Sequence, residues 1–308
     1  MFNAIKQGML KGIRTAISFI NPGALAKLSS TQAKFGATSA NFTGAANSLI
    51  DQPAATGQFI RGTQPFTFEC WFYQTALTVP FPALFGCNNN NASFVAPYWQ
   101  LASSSAGDRK VYWASARMGA YLSSAAIPLN TWTHAAAVRT AATGAVMATS
   151  SIAVTTGILT VGTVSSGTVS VGLYLTGTGV PAGTYIVSNI SGAGAGSTWN
   201  TNTTTAVAST TITGNNMNLY INGSNVARAN QSGSLDDSVS QKFRVGTWST
   251  GANDYFTGFI DELRCSSVAR YFTTFTPQTE PFIDDASTIV LMHMDGDNAT
   301  QVWVDDNT

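Results

Sequence analysis

Between Arg139 and Arg228 the chain runs for 88 residues without an Asp, Glu, Lys or Arg. Within this run, "SIAVTTGILTVGTVSSGTVSVGLYLTGTGVPAGTYIVSNISG" alternates β-branched residues with Thr, Ser and Gly, and "TWNTNTTTAVASTTITG" repeats the pattern. A period of two in apolar residues specifies strands with one buried face, not disorder. Residues 140–214 are therefore expected to form a small β module. Charged side chains are the usual guard against edge-to-edge pairing of strands. A charge-free Thr/Ser surface fits a place inside an assembly, where neighbours cover it; the plainer alternative is an isolated neutral insert.

The rest of the chain narrows the class. Charged residues are 10% of the 308, against roughly 25% in an ordinary soluble domain. The formal net charge is zero, which argues against nucleic acid as a partner. Cys70, Cys87 and Cys265 make a sparse, odd set with no metal-binding spacing, consistent with assembly in a reducing cytoplasm. No apolar run reaches the roughly 18 residues of a membrane span. Lys6, Lys11 and Arg14 interrupt the N-terminus where a signal peptide would be apolar.

Residues 2–20, "FNAIKQGMLKGIRTAISFI", space Ile5, Met9, Ile13, Ile17 and Ile20 along one apolar stripe, the pattern of an amphipathic helix. Pro22-Gly23 ends it. Gly8 and Gly12 each weaken such a helix by about 1 kcal/mol relative to Ala, so it needs a docking surface. Residues 1–30 are read as an assembly anchor. A cap on the chain's own sandwich and a membrane-surface helix are the alternatives.

From residue 31 onward the pattern is β. "PFTFECWFYQ" sets Phe66, Phe68, Cys70 and Phe72 on one face and Thr67, Glu69, Trp71 and Tyr73 on the other. "KVYWASARMGAYL", "NTWTHAAAVR", "NMNLYINGSNVA", "QKFRVGTW" and "STIVLMHM" are further strands, punctuated by turns such as Asn222-Gly223. The series "NTWTHAAAVR", "LYINGSNVA", "FRVGTW", "FTGFIDELRCS" and "VARYFTTFTP" resembles successive strands of the concanavalin A-like, laminin-G-type jelly roll. The resemblance covers about residues 31–139 and 215–300 and implies an all-β antiparallel sandwich of two sheets, formed by 31–139 and 215–308. In that family a short hairpin joins the strands resembling "WTHAAAVR" and "LYING", so 140–214 is an insertion at its tip. "TIVLMHMDGD", which opens the family's pattern, here comes at 288–297. It is expected to lie beside the early "AKFGATSANF" strand, or else to exchange with a neighbouring subunit. A jelly roll paired with a Thr/Ser/Gly-rich module also resembles virion proteins of tailed bacteriophages. That likeness implies a capsid decoration or tail-fibre component at the virion surface. Its partners would be sister subunits, other virion proteins and host polysaccharide.

Two adjacent carboxylates, Asp261 and Glu262, stand in the apolar stretch "DYFTGFIDELRCSS". A glycosidase needs two carboxyl groups converging on one bond, roughly 5–9.5 Å apart, whereas neighbours in a strand face opposite ways. The resemblance adds that glucanases of this fold place their carboxylates at alternate positions; here Phe259 and Leu263 flank Asp261 two residues away. The pair is read as scaffold, bonded to loop amides or to Arg264 or Arg270, and no catalytic residue is assigned. His134 is read as a satisfied sheet histidine. Trp71, Tyr73, Tyr98, Trp99, Tyr112, Trp113 and Trp248 are the candidates for a sugar-stacking surface, of which two or three are expected to serve. Asp295 and Asp297 are weak calcium candidates, short of the six to eight oxygens the ion takes; no cofactor is otherwise implied.

Overall fold

A computed structural model of the protein describes residues 25–52, 59–77, 79–88, 98–103, 108–116, 118, 120–235, 242–249, 254–298 and 306. The expected helix with its stripe of Ile5, Met9, Ile13, Ile17 and Ile20 lies outside the described residues. The described residues form strands and loops, and no helix among them is long and apolar enough to cross a membrane.

Two antiparallel sheets make a sandwich. The larger runs β1 (Lys27–Ser29), β2 (Ser39–Thr43), β20 (Thr257–Ser266), β4 (Phe66–Gln74), β9 (Trp132–Arg139), β17 (Met217–Ile221) and β18 (Ser224–Ala229), with β21 (Thr288–Met292) also paired to β20. The smaller runs β3 (Ile50–Asp51), β19 (Lys242–Val245), β5 (Ala83–Asn88), β6 (Tyr98–Ser103), β7 (Lys110–Ser115) and β8 (Ala120–Ala126). The alternation in β4 sends Phe66, Phe68, Cys70 and Phe72 into the core between the sheets, where they meet Trp113, Phe243 and Val245.

The other face of β4 is covered as well. After β20 the chain crosses the outer face of the larger sheet as a strap. Tyr271 and Phe275 of the strap pack on Ala136, Val138 and Tyr220, and Phe282 packs on Trp71 and Leu291. A sheet buried on both faces can hide charged side chains, provided they are paired.

The uncharged run builds a third sheet: β13 (Tyr174–Gly177), β16 (Val207–Asn215), β10 (Ala145–Ile152), β11 (Ile158–Thr160), β15 (Thr198–Thr201) and β14 (Ile186–Ser191), with β12 (Thr163–Gly167) on β10. It has a separate core that includes Met147, Ile152, Leu159, Leu175, Trp199 and Ile212. Its two connections leave from paired strands, since Arg139 on β9 lies opposite Met217 on β17. The Thr140 amide donates to the Asn216 carbonyl at 2.8 Å and closes the neck.

β21 pairs with β20 within this chain, at Leu263–Ser266, while β2 takes the same strand at Thr257–Ile260. The late strand thus continues the line of the early one. Between the two stretches β20 bulges. Asp261 lies opposite Trp71 and Arg264 opposite Glu69, so three steps on β20 match two on β4. Glu262 takes up the extra residue with a φ of 49°. Alternation therefore fails at the acidic pair, and the expectation that its two side chains face opposite ways is overturned.

Candidate functional site

The bulge brings the acidic pair to the seam between β2 and β21. Asp261 Oδ2 accepts the Lys34 and Phe35 amides at 2.8 and 3.1 Å. Glu262 Oε2 accepts the Phe282 amide at 2.6 Å, and Oε1 lies 2.8 Å from His293 Nδ1. Phe35 and Phe282 belong to one cluster around Trp71, so both carboxylates serve segments packed on the outer face. Bonding to loop amides agrees with the scaffold reading. Pairing with Arg264 or Arg270 does not occur, because those cations have other partners: Arg264 binds Glu69 and Arg270 binds Asp285. Both Asp261 and Glu262 are fully buried.

Beneath the strap lies a buried ionic network. Glu69 Oε1 accepts from Arg264 Nε and Nη2 at 2.9 and 2.7 Å. Its Oε2 accepts the Tyr271 hydroxyl at 2.8 Å and lies 3.1 Å from His134 Nε2. Burial alone would raise the Glu69 pKa, but His134 and Arg264 overcome it and hold the group at about 2. Burial, then the Glu69 charge, pushes the Tyr271 phenol well up. His134 is a sheet histidine as expected, engaged through Nε2 only; its buried Nδ1 meets no partner among the described residues.

The aromatic candidates separate by burial. Trp113 and Trp248 are fully buried, and Tyr112 nearly so. They offer no ring face to a ligand, a correction to their place among the candidates. Trp113 is core between Phe66 and Phe68, and Trp248 Nε1 donates to Asp254. Trp71 is covered by Phe35 and by the Lys34 ammonium, 4.0 Å from its ring. Tyr98 and Trp99 lie on β6, opposite Asn88 and Cys87.

Tyr73 remains half-exposed, and it has company. Opposite it stand Trp132 on β9 and Phe259 on β20; Asn41 lies opposite Phe259, and Lys27 opposite Asn41. The result is one row, Trp132–Tyr73–Phe259–Asn41–Lys27, crossing five strands at about 4.8 Å each. Ring centroids are 5.6 Å apart for Tyr73–Trp132 and 6.1 Å for Tyr73–Phe259. Trp132 and Asn41 are half-exposed and Lys27 is exposed, with Thr43 and Thr257 paired alongside. Sequence reasoning missed Trp132, Phe259, Asn41 and Lys27 as members of one surface. The alternation in each strand was visible, but the register joining them was not.

The calcium candidates are placed differently from each other. Asp295 Oδ1 accepts the Ala37 and Thr38 amides at 3.1 and 3.4 Å, while Asp297 is exposed. Among the described residues no group of three or more His, Cys, Asp or Glu is arranged to hold a metal ion.

No curated protein sequence matches the chain significantly. Among solved structures, it is similar to domain 4 of AbnA, an extracellular arabinanase from Geobacillus stearothermophilus, solved with arabinotriose. The identity is 14% over 80% of this chain and 77% of that one, with a TM-score of 0.41. A putative carbohydrate-binding protein from Bacteroides ovatus matches at 12% identity over 91% of this chain, with a TM-score of 0.44; the chain spans about half of that protein, 52%. Tailspike protein 2 of an Escherichia coli O157:H7 bacteriophage matches at 8% identity over 92% of this chain but 30% of its own length, with a TM-score of 0.49. Likeness at this level says nothing of ligands. The family match is stronger ground: residues 44–149 and 147–274 match the laminin-G-type family of the concanavalin A-like lectin/glucanases superfamily, and the chain belongs to it.

Proposed function

We propose that the protein is a non-enzymatic, lectin-like component of a tailed-bacteriophage surface, which touches host polysaccharide through the row Trp132–Tyr73–Phe259–Asn41–Lys27. The half-exposed rings of that row carry the proposal. A pyranose presents an apolar C–H face to an aromatic ring and hydroxyls to neighbouring donors and acceptors, and Asn41, Lys27 and Thr43 supply these beside the rings. Binding without cleavage fits a chain whose paired carboxylates are buried and bonded to backbone amides. A place in a capsid decoration or tail fibre, among sister subunits and other virion proteins, is supported by the uncharged module and the N-terminal apolar stripe.

A glycan array with the full chain is expected to return binders. Trp132→Ala combined with Tyr73→Ala should weaken the best of them at least tenfold by calorimetry, about 1.4 kcal/mol. Binding unaffected by both changes removes the row from the account, and an array with no binder removes the lectin reading. The assembly role has a separate check. Ile13→Asp with Ile17→Asp should leave the sandwich folded and keep the protein out of purified particles; normal incorporation rules out the anchor.

A further inference from the structure

The seam that holds Asp261 and Glu262 also joins the two ends of the described chain. Residues 34–38 arrive from the N-terminal side and residues 293–298 from the C-terminal side, and carboxylates hold both. Asp261 takes the amides of Lys34 and Phe35, and Asp295 those of Ala37 and Thr38. The Thr38 hydroxyl donates to the Met294 carbonyl at 3.0 Å, and the Ser30 amide to Asn298 Oδ1 at 3.1 Å. On the other side Glu262 holds His293 and the Phe282 amide, while Asp306 Oδ2 accepts the His293 amide at 2.9 Å. Four carboxylates thus gather at one joint. Among the described residues, the one ion pair recorded for them is Glu262 with His293.

We propose that this seam is a proton-controlled latch, which clamps residues 34–38 and 293–296 to β20 in mildly acidic solution and loosens toward neutral and alkaline pH. Asp261 is fully buried and faces Glu262 and Asp295. Burial raises its pKa most and the two carboxylates add to that; the Phe35 and Lys34 amides oppose them, and the balance lies at about 7. Once the seam opens, the group returns toward its ordinary value of 3.8. The closed form therefore holds a proton that the open form releases, and its advantage is lost as pH rises from about 4 to about 7.

His293 acts in the same direction. The hydrogen bond from Glu262 raises its pKa, burial lowers it, and the charges of Glu262, Asp306 and Asp295 raise it again, for a net rise above 6.5. Its contribution is lost as pH climbs through that raised value. The neighbouring cations are engaged elsewhere: Lys34 lies over Trp71, Arg264 is bound to Glu69, and Arg270 to Asp285. Glu69 and Asp285 are both depressed, so they lose stability only in more acidic solution. The window from about pH 5 to pH 8 thus isolates the seam.

Amide hydrogen exchange on the full chain tests this. Protection at Lys34, Phe35, Ala37 and Thr38, corrected for the intrinsic rate, should fall at least tenfold between pH 5 and pH 8, while amides of β9 stay constant. Asp261→Asn keeps an acceptor without the titration and should flatten the response. His293→Gln should leave a smaller fall, complete by about pH 7. Protection that ignores pH in the wild type, or an undiminished fall in Asp261→Asn, overturns the latch. Should that variant not fold, carbon NMR of the Asp261 carboxyl in the wild type decides: a midpoint near 7 supports the latch and one near 4 overturns it.

Discussion

Replacing Glu69 by alanine is expected to destabilise the sandwich by about 3–5 kcal/mol, the range for stripping one partner from a buried ion pair. The Arg264 side chain is 3% exposed and would keep its charge with no carboxylate beside it. The Tyr271 hydroxyl and His134 Nε2 lose their acceptor at the same time. The damage spreads to the strap, because Tyr271 stacks on Phe275 and the Arg264 guanidinium lies 4.2 Å from the Phe282 ring. Removing both charges together, as Glu69→Leu with Arg264→Met, should cost markedly less than Glu69→Ala, since no buried charge is then left alone. Denaturant unfolding of the three variants and the wild type measures this directly. A loss below about 1 kcal/mol for Glu69→Ala would mean that water reaches the network. The pH dependence has a definite sign. The folded value of about 2 lies below the ordinary 4.5, so the Glu69 contribution is present above pH 4.5 and is lost as pH falls toward 2.

Excising the uncharged module should leave a folded sandwich. The neck supplies the design. Arg139 donates to the carbonyls of Gly62, Ala141 and Ala142, and Asn216 Nδ2 donates to the Ala141 carbonyl. The cut therefore falls at residues 143–214, replaced by a four-residue turn between strands that already pair. Two contacts are lost: the stack of Tyr185 on Phe272, at 6.0 Å and 25°, and Arg228 over the Tyr174 ring at 4.1 Å. An aromatic pair contributes about 0.5–1.5 kcal/mol and an exposed cation–π contact about 0.5–1 kcal/mol. The shortened protein should thus unfold cooperatively, about 1–2.5 kcal/mol below the sandwich transition of the full chain, with a smaller denaturant slope because less surface is exposed. A broad, uncooperative transition would show that the sandwich needs the module to fold.

The alternation in "PFTFECWFYQ" is enough to place Phe66, Phe68, Cys70 and Phe72 in the core, and Asn222-Gly223, with φ values of 48° and 77°, turns the hairpin of β17 and β18 as that residue pair implies. Two misreadings have one source. An unbroken strand sets Asp261 and Glu262 on opposite faces, and a strand whose own residues show no preferred face leaves Trp113 open as a ligand platform. The bulge that moves Glu262 arises where β2 and β21 meet on one edge of β20, and neither partner is near it in sequence.

What the chain determines by itself is whatever depends on neighbours along it. Side chains two apart share a face, glycine and asparagine turn the backbone, and an uncharged β-branched run makes strands; hence the all-β class, the strands of the sandwich and the separate character of the insert. The tertiary structure decided what rests on pairing between distant segments. Glu69 and Arg264 stand 195 residues apart, and Asp261 reaches an amide 227 residues away. The row from Trp132 to Lys27 needs the register of five strands at once. A strand's own period gives the face of each side chain; which distant strand lies beside it, and what crosses over that face, is settled only when the sheets pair and the strap closes.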